Sequence, residues 1–407
     1  MRKQSLLMKV SARLETFLKP ILAEADKVRR RFVRQAVTGI LTSRSLVVTE
    51  MARRIHDGTT ALDYTAKRLC RELVAETWHL PTLQQRHLDA VASWIGEETP
   101  VAVDLTDLAK PRGRQFEYLA LVRDADQDRL QPGYWCLEAY TADGEEPLPL
   151  VLQPFSVQDP RTPSQNLVIL AALERLRQTF ANRGLYLFDR GFDAGEILNA
   201  LLDKGMRFLV RLRGDRHLVL DNGVRLPARD IADRLATANV TWRWRPVSCR
   251  LDAHWIGYLP VRLPGRPEPL TLVVALFPGP DGGMMMLLTN RAVASAADAE
   301  QTLRLYARRW KAEEGIRVLK QEVGLEGFRI RCLEAIRRLV FLALLAIAFL
   351  VSISEKTLSL AEQIIRRGQP LRRARGMILY RLARGMRYLL THLSPPNLAA
   401  LRRFQNG

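Results

Sequence analysis

The order in which strands and helices follow one another between residues 100 and 212 restricts the fold of this 407-residue chain more than any other feature. VAVDL (101–105) is a β-branched apolar run, and EYLALVRD (117–124) and YWCLEAYT (134–141) follow it. Turn-rich pieces containing Lys110–Pro111–Arg112–Gly113 and Pro132–Gly133 separate them, so three consecutive, antiparallel strands are expected. NLVILAALERLRQTFA (166–181) has helical character, GLYLFD (184–189) reads as a buried strand, residues 193–204 as a second helix, and RFLVRL (207–212) as another strand. The order is β-β-β-α-β-α-β.

A mixed sheet in which a three-stranded meander precedes αβ units is the ribonuclease-H-like order, so the expected class is α/β. Around it the chain divides by composition. Residues 1–95 read as helical, with apolar positions three and four apart. TTALDYTAKRLCRELVAE (59–76) has possible caps at Thr59 and Thr60 and an amphipathic run. A DNA-binding region and a helical bundle with a charged exterior fit this segment equally well. Residues 96–212 would form the first part of a catalytic domain and 291–354 the rest. Residues 213–290 are rich in Gly, Pro and short alternating strands (HLVL, TWRWRPVSC, WIGYLPVRL, LTLVVALF, MMMLLT), and are expected to be a β-strand insertion subdomain. Residues 355–407 form a basic helical C-terminal region.

Charge is unevenly placed. Residues 1–60 hold 13 Lys/Arg against 5 Asp/Glu, and residues 355–407 hold 11 against 2, out of a net +19. Both ends are basic and the middle is balanced, which suits a polyanion such as nucleic acid. Four cysteines without paired spacing argue against a zinc site and a disulfide framework, so a reducing cytosol is the expected setting. LVFLALLAIAFLVSI (339–353) is shorter than the roughly 20 residues of a spanning helix. It is expected to be a buried core helix, with a membrane segment as its competitor.

Two acids stand at strand ends, Asp104 closing the first strand and Asp189 closing the fourth, where open sheets present their functional crevice. Each also has an ordinary reading as a cap or turn residue. A third comes from YARRWKAEEGIRVLK (306–320). No Pro interrupts about Ala299–Lys320, and on a continuous helix Tyr306, Arg309, Glu313 and Lys320 fall within roughly 60° of one another. Such a stripe is a solvated face with ion pairs or a site. Three carboxylates can hold a Mg²⁺ pair for in-line phosphodiester chemistry. Asp107 competes with Asp104, and Glu314 lies about 100° off the stripe of Glu313. No HExxH or GxxxxGK[ST] occurs, against a histidine metal site and an ATP-driven motor. Trp242 and Trp244 alternate on one strand face, as subdomain core or as a platform for an extruded base. Arg372, Arg373, Arg375, Arg381, Arg384 and Arg387 favour phosphate contact.

The spacing Tyr306-x2-Arg309-x3-Glu313-x6-Lys320, with Trp310 and DRGF (189–192), resembles the Tyr–Arg–Glu–Lys signature group of insertion-sequence DDE transposases (insertion sequence family 4 type). DLTDLAKP (104–111) is similar to that family's first-aspartate segment, and the resemblance covers about residues 100–354. It implies that Asp104, Asp189 and Glu313 are the catalytic metal ligands for two Mg²⁺ ions, with Mn²⁺ as a substitute. It implies that Tyr306, Arg309 and Lys320 hold transposon-end DNA. Cleavage at the element's ends, cut-and-paste strand transfer into target double-stranded DNA, and a homodimer on DNA follow from the same resemblance. A cytoplasmic, nucleoid-associated protein without a membrane partner is expected. The competing reading is a transposase-derived DNA-binding protein that has lost catalysis.

Overall fold

The computed structural model describes residues 3–56, 58, 60–75, 77, 79–124, 129–237, 255–277, 283–368 and 378–391. Five helices come first: α1 (Lys3–Ile21), α2 (Lys27–Ser43), α3 (Val48–Ile55), α4 (Leu62–Val74) and α5 (Leu80–Val91). The strands β1 (Pro100–Ala109), β2 (Ala120–Asp124), β3 (Arg129–Thr141) and β4 (Pro149–Phe155) follow. Then come α6 (Gln165–Phe180), β5 (Leu185–Phe188), α7 (Gly195–Asp203) and β6 (Arg207–Arg211). The next stretch holds β7 (His217–Val219), β8 (Arg225–Pro227), α8 (Ala228–Thr237), β9 (Trp255–Val261), β10 (Leu270–Leu276) and β11 (Met284–Thr289). The chain continues through α9 (Ala296–Ala307), α10 (Trp310–Val318), α11 (Leu333–Lys356), α12 (Leu358–Gly368) and α13 (Ile378–Thr391).

The sheet runs β4-β3-β1-β5-β6-β11-β10-β9, with the short β2 beside the first part of β3. β1 is antiparallel to β3 and parallel to β5, which is parallel to β6. This is the ribonuclease-H-like order expected from the sequence, with one strand more. PLVLQPF, bracketed by proline, is β4 and pairs antiparallel with β3; the second expected strand, by contrast, is the small β2. β7 and β8 make a separate two-stranded sheet, whereas β9, β10 and β11 continue the central sheet through β11 and β6. The described part of 213–290 therefore extends the core sheet and adds α8, where a separate β-strand insertion subdomain was expected. TWRWRPVSC with Trp242 and Trp244, the Thr59 cap, and Arg372, Arg373 and Arg375 lie outside the described residues.

Period-two alternation gives the sheet two apolar faces. Leu185, Leu187 and Leu209 pack with Val273, Leu287, Ala299 and Leu303 under α9. Tyr186, Phe188, Phe208 and Val210 join the main core on the other face. The apolar stretch 339–353 lies in α11, a 24-residue helix buried against α2, α13 and β4. It is long and apolar enough to cross a membrane, yet nearly its whole length is interior to this fold. After α10 the backbone widens into a π-turn (Leu319–Val323). Its buried Glu322 pairs with Arg44 after α2 and with Arg384 of α13 at 3.7 Å, tying both terminal regions to this helix.

Candidate active site

Strand register brings the first two acids together. β1 and β5 run parallel with Ala102 opposite Leu187 and Val103 opposite Phe188, so the next positions are Asp104 and Asp189. Adjacent strands lie about 4.8 Å apart, and both residues continue the face of Ala102 and Leu187. Asp104 is mid-strand in β1 and does not close it as expected; β5 ends at Phe188, and the crevice opens there. Asp189 remains extended (φ −78°, ψ 179°) and one of its oxygens accepts from the Gly191 N–H at 2.7 Å, holding the DRGF turn.

The third acid arrives on α10, but not on one unbroken helix. α9 ends at Ala307, and Arg308 and Arg309 turn with i,i+3 bonds: Arg308 N–H donates to Leu305 O and Arg309 N–H to Tyr306 O. Nothing in the local sequence forces this break. At the break Arg309 reaches across the sheet face, one terminal nitrogen donating to Asp104 Oδ2 and the other to Glu313 Oε1 at 3.0 Å. α10 lies on β1 and β3, and Gly315 allows the approach: a methyl there would come within 2.6 Å of the Tyr140 ring.

The remaining predicted residues separate. Tyr306 is 5% exposed, packed with Leu303 and Ala299, so it supports Arg309 from beneath and does not share the open face expected of the stripe. Lys320, in the π-turn, sits 3.6 Å from Asp107 and 3.0 Å from Glu326. Asp107 lies within β1 and pairs with Lys320, whereas the strand register sets Asp104 beside Asp189. Glu314 turns away to Lys311 at 3.4 Å.

Sequence reasoning missed three residues. Glu138 is directly opposite Asp104 across the β1–β3 ladder and 2% exposed; only the strand register could have revealed it. Gly315 looks unfavourable in a helix until Tyr140 is seen behind it. Lys110 is buried, donating to the carbonyls of Glu326 and, at 2.8 Å, of Phe328, so it anchors the loop carrying Glu326.

Electrostatics mark this cluster as short of positive charge. Burial pushes the Asp104 carboxyl up to about 6; Arg309 pulls it down while Asp189 and Glu313 push it further up. Burial, then Asp104, holds Glu138 well above the usual carboxylate range. Burial works against the Arg309 charge, but Asp104, Tyr306 and Glu313 more than offset it. Burial raises the Tyr306 phenol to about 12. The donors are carboxylate oxygens only, which suits a hard divalent cation. As placed, with Arg309 between Asp104 and Glu313, no three His, Cys, Asp or Glu among the described residues are grouped closely enough to hold a metal ion.

Fold and site define a ribonuclease-H-like α/β protein with converging acids on one sheet face beside a buried arginine. The chain belongs to the family of the transposase DDE domain, whose model matches residues 96–349. A solved piggyBac transposase synaptic complex with hairpin DNA is similar at 11% identity and a TM-score of 0.49, covering 98% of this chain and 80% of that one. No curated protein matches the sequence.

Proposed function

We propose that this chain is a DNA transposase of the Tyr–Arg–Glu–Lys signature group, cutting at the ends of its element and joining them to target DNA by cut-and-paste. The observation that carries the reading is that the β1–β5 register sets Asp104 beside Asp189 while Arg309 bridges Asp104 to Glu313 of α10. Asp104, Asp189 and Glu313 would hold two Mg²⁺ ions, or Mn²⁺ in their place. Ions so held supply activation of the attacking oxygen and stabilisation of the leaving one in an in-line displacement.

The protein's own groups do the rest. Arg309 has two tasks. Without DNA it neutralises Asp104 and Glu313; with DNA its planar fork suits a phosphate, and its departure frees both carboxylates. Tyr306 backs the guanidinium from the apolar side. Lys320, braced by Glu326 and Asp107 in the π-turn that follows α10, would offer a further point charge for the DNA backbone. The first step adds water across a phosphodiester and frees a 3′-hydroxyl; the second directs that hydroxyl onto target DNA. A homodimer on DNA and a cytoplasmic, nucleoid-associated setting belong to this proposal.

The test is strand transfer with purified protein, uncut and pre-cut element ends supplied in parallel, a supercoiled target plasmid and Mg²⁺. Joined ends are expected. Cleavage of uncut ends without joining makes the protein a nuclease, and binding without either reaction makes it a transposase-derived DNA-binding protein.

A further inference from the structure

An open cleft of about 370 Å³ lies along the same sheet edge, one strand beyond Asp189. Its walls are the start of α7, the loop after β6, and the β7–β8 hairpin, with Arg213, Arg216, His217 and Arg225 facing in. Asp193 sets up the wall. Almost fully buried, it accepts the Arg213 main-chain N–H at 2.7 Å and Arg216 Nε at 2.7 Å, and Arg216 also donates to the Asp193 carbonyl at 2.8 Å. One cation and one acid thus neutralise each other and fix the loop. Arg213 and Arg225 remain against Asp215, with His217 beside them. Arg213 Nε holds the Arg190 carbonyl at 3.2 Å, linking the cleft to the DRGF turn. At the back of the cleft, α7 begins without a side-chain cap, and a methyl on Gly195 would meet nothing within 4 Å. Main-chain N–H groups and arginine forks facing one open space are the donor set for a phosphate.

We propose that this cleft is a second phosphate-binding site, seating a backbone phosphate of the DNA a few nucleotides from the bond that is cut. The proposal rests on the transposase reading above and adds which part of the chain holds that DNA segment. The distance follows from chain geometry. Asp193 is four residues from Asp189, so the two lie at most about 14 Å apart. A strand rises about 3.4 Å per nucleotide, which places the seated phosphate within about four to five nucleotides of the scissile one. Arg225 and Arg213 contact the phosphate; Asp193 and Arg216 shape the wall.

The experiment measures binding of the element's terminal DNA across a salt series, in a Glu313→Gln background that leaves the DNA uncut. Arg225→Gln and Arg213→Gln are each expected to weaken binding and to lower the slope of log K against log salt by about 0.9, one phosphate contact each. Thermal melting checks that both variants fold. A second measurement alters the DNA instead of the salt: neutral methylphosphonates are placed singly along the strand, and binding by wild type and by Arg225→Gln is compared. One position within about five nucleotides of the cut should weaken wild-type binding and leave Arg225→Gln binding unchanged. Equal slopes for wild type and both variants, with no sensitive methylphosphonate position, overturn the proposal while the transposase reading stands. Loss of inorganic phosphate binding in Arg225→Gln with an unchanged DNA slope overturns it in favour of a free-anion site. Failure of the parent protein to bind terminal DNA removes both readings together.

Discussion

Replacing Asp104 by Asn should make the cation-free protein more stable, although it removes one partner of an ion pair. Burial, Asp189 and Glu313 outweigh Arg309 and move this carboxyl from 3.8 to about 6. The folded protein therefore binds the proton more tightly than the unfolded chain. The stability this affinity supplies is fully present below pH 3.8 and is lost as pH rises through 6, so the charge is a net cost above that. Two units and a little more, at about 1.4 kcal/mol each, make that cost about 3 kcal/mol at pH 8. Asn keeps the shape and has no charge to bury, and Arg309 keeps Glu313 as its partner. In urea titrations with a chelator present, Asp104→Asn should gain about 3 kcal/mol at pH 8 and about half that at pH 5. Added Mg²⁺ should stabilise wild type by mass action and leave the variant unmoved. A variant less stable than wild type at pH 8, or displaced equally at both pH values, would refute the electrostatic reasoning.

Three further outcomes are expected. Gly315→Ala sets a methyl against the Tyr140 ring; overpacking costs about 1–3 kcal/mol, partly offset by about 1 kcal/mol of helix propensity. Because α10 carries Glu313, cleavage should fall about a hundredfold while the melting temperature changes little; unchanged cleavage would contradict the packing account. Arg309→Gln should bind Mn²⁺ about tenfold more tightly in the absence of DNA, since at least one charge-assisted bond of about 1.5 kcal/mol no longer has to be broken. Equal or weaker Mn²⁺ binding, measured calorimetrically, would show that Arg309 does not compete for these carboxylates. His87 is fully buried, donates through Nε2 to the Pro149 carbonyl at 2.9 Å, and is pushed down to about 4 by that burial. Its neutral form binds fewer protons than the unfolded histidine, so stability should drop by about 3 kcal/mol as pH falls from 6.5 to 4. His87→Gln should flatten that part of the profile, and an unflattened profile would rule His87 out as its source.

What could be read before the structure was what local pattern encodes. Apolar runs fixed which segments become β1, β5 and β6, and the period of the 306–320 stretch brought Arg309 and Glu313 together, four residues apart, as the ion pair confirms. The neighbourhood of Asp104 and Asp189 was inferred from topology, and the parallel register of β1 and β5 supplies it. Other parts depended on contacts far apart in sequence. β4, with prolines at its start and beside its end, was not among the expected strands. Glu138 became part of the site only through its ladder position opposite Asp104. The break at Arg308–Arg309 occurs among good helix formers and coincides with the long-range pair of Arg309 with Asp104, which propensity does not encode. Tyr306, on α9 before the break, is buried with Ala299 and Leu303 instead of lying on the exposed stripe. The continuation of the sheet from β6 into β11 likewise came from a non-local pairing.

The most direct measurement is Mg²⁺-dependent cleavage of the element's terminal DNA by wild type and by Glu313→Gln. The substitution preserves size and removes the charge that Arg309 now holds at 3.0 Å. Wild type is expected to cut, and the variant to bind the same DNA without cutting. If the variant cuts as wild type does, or if both bind and neither cuts with Mg²⁺ or Mn²⁺, the carboxylates of this sheet face do not carry the reaction.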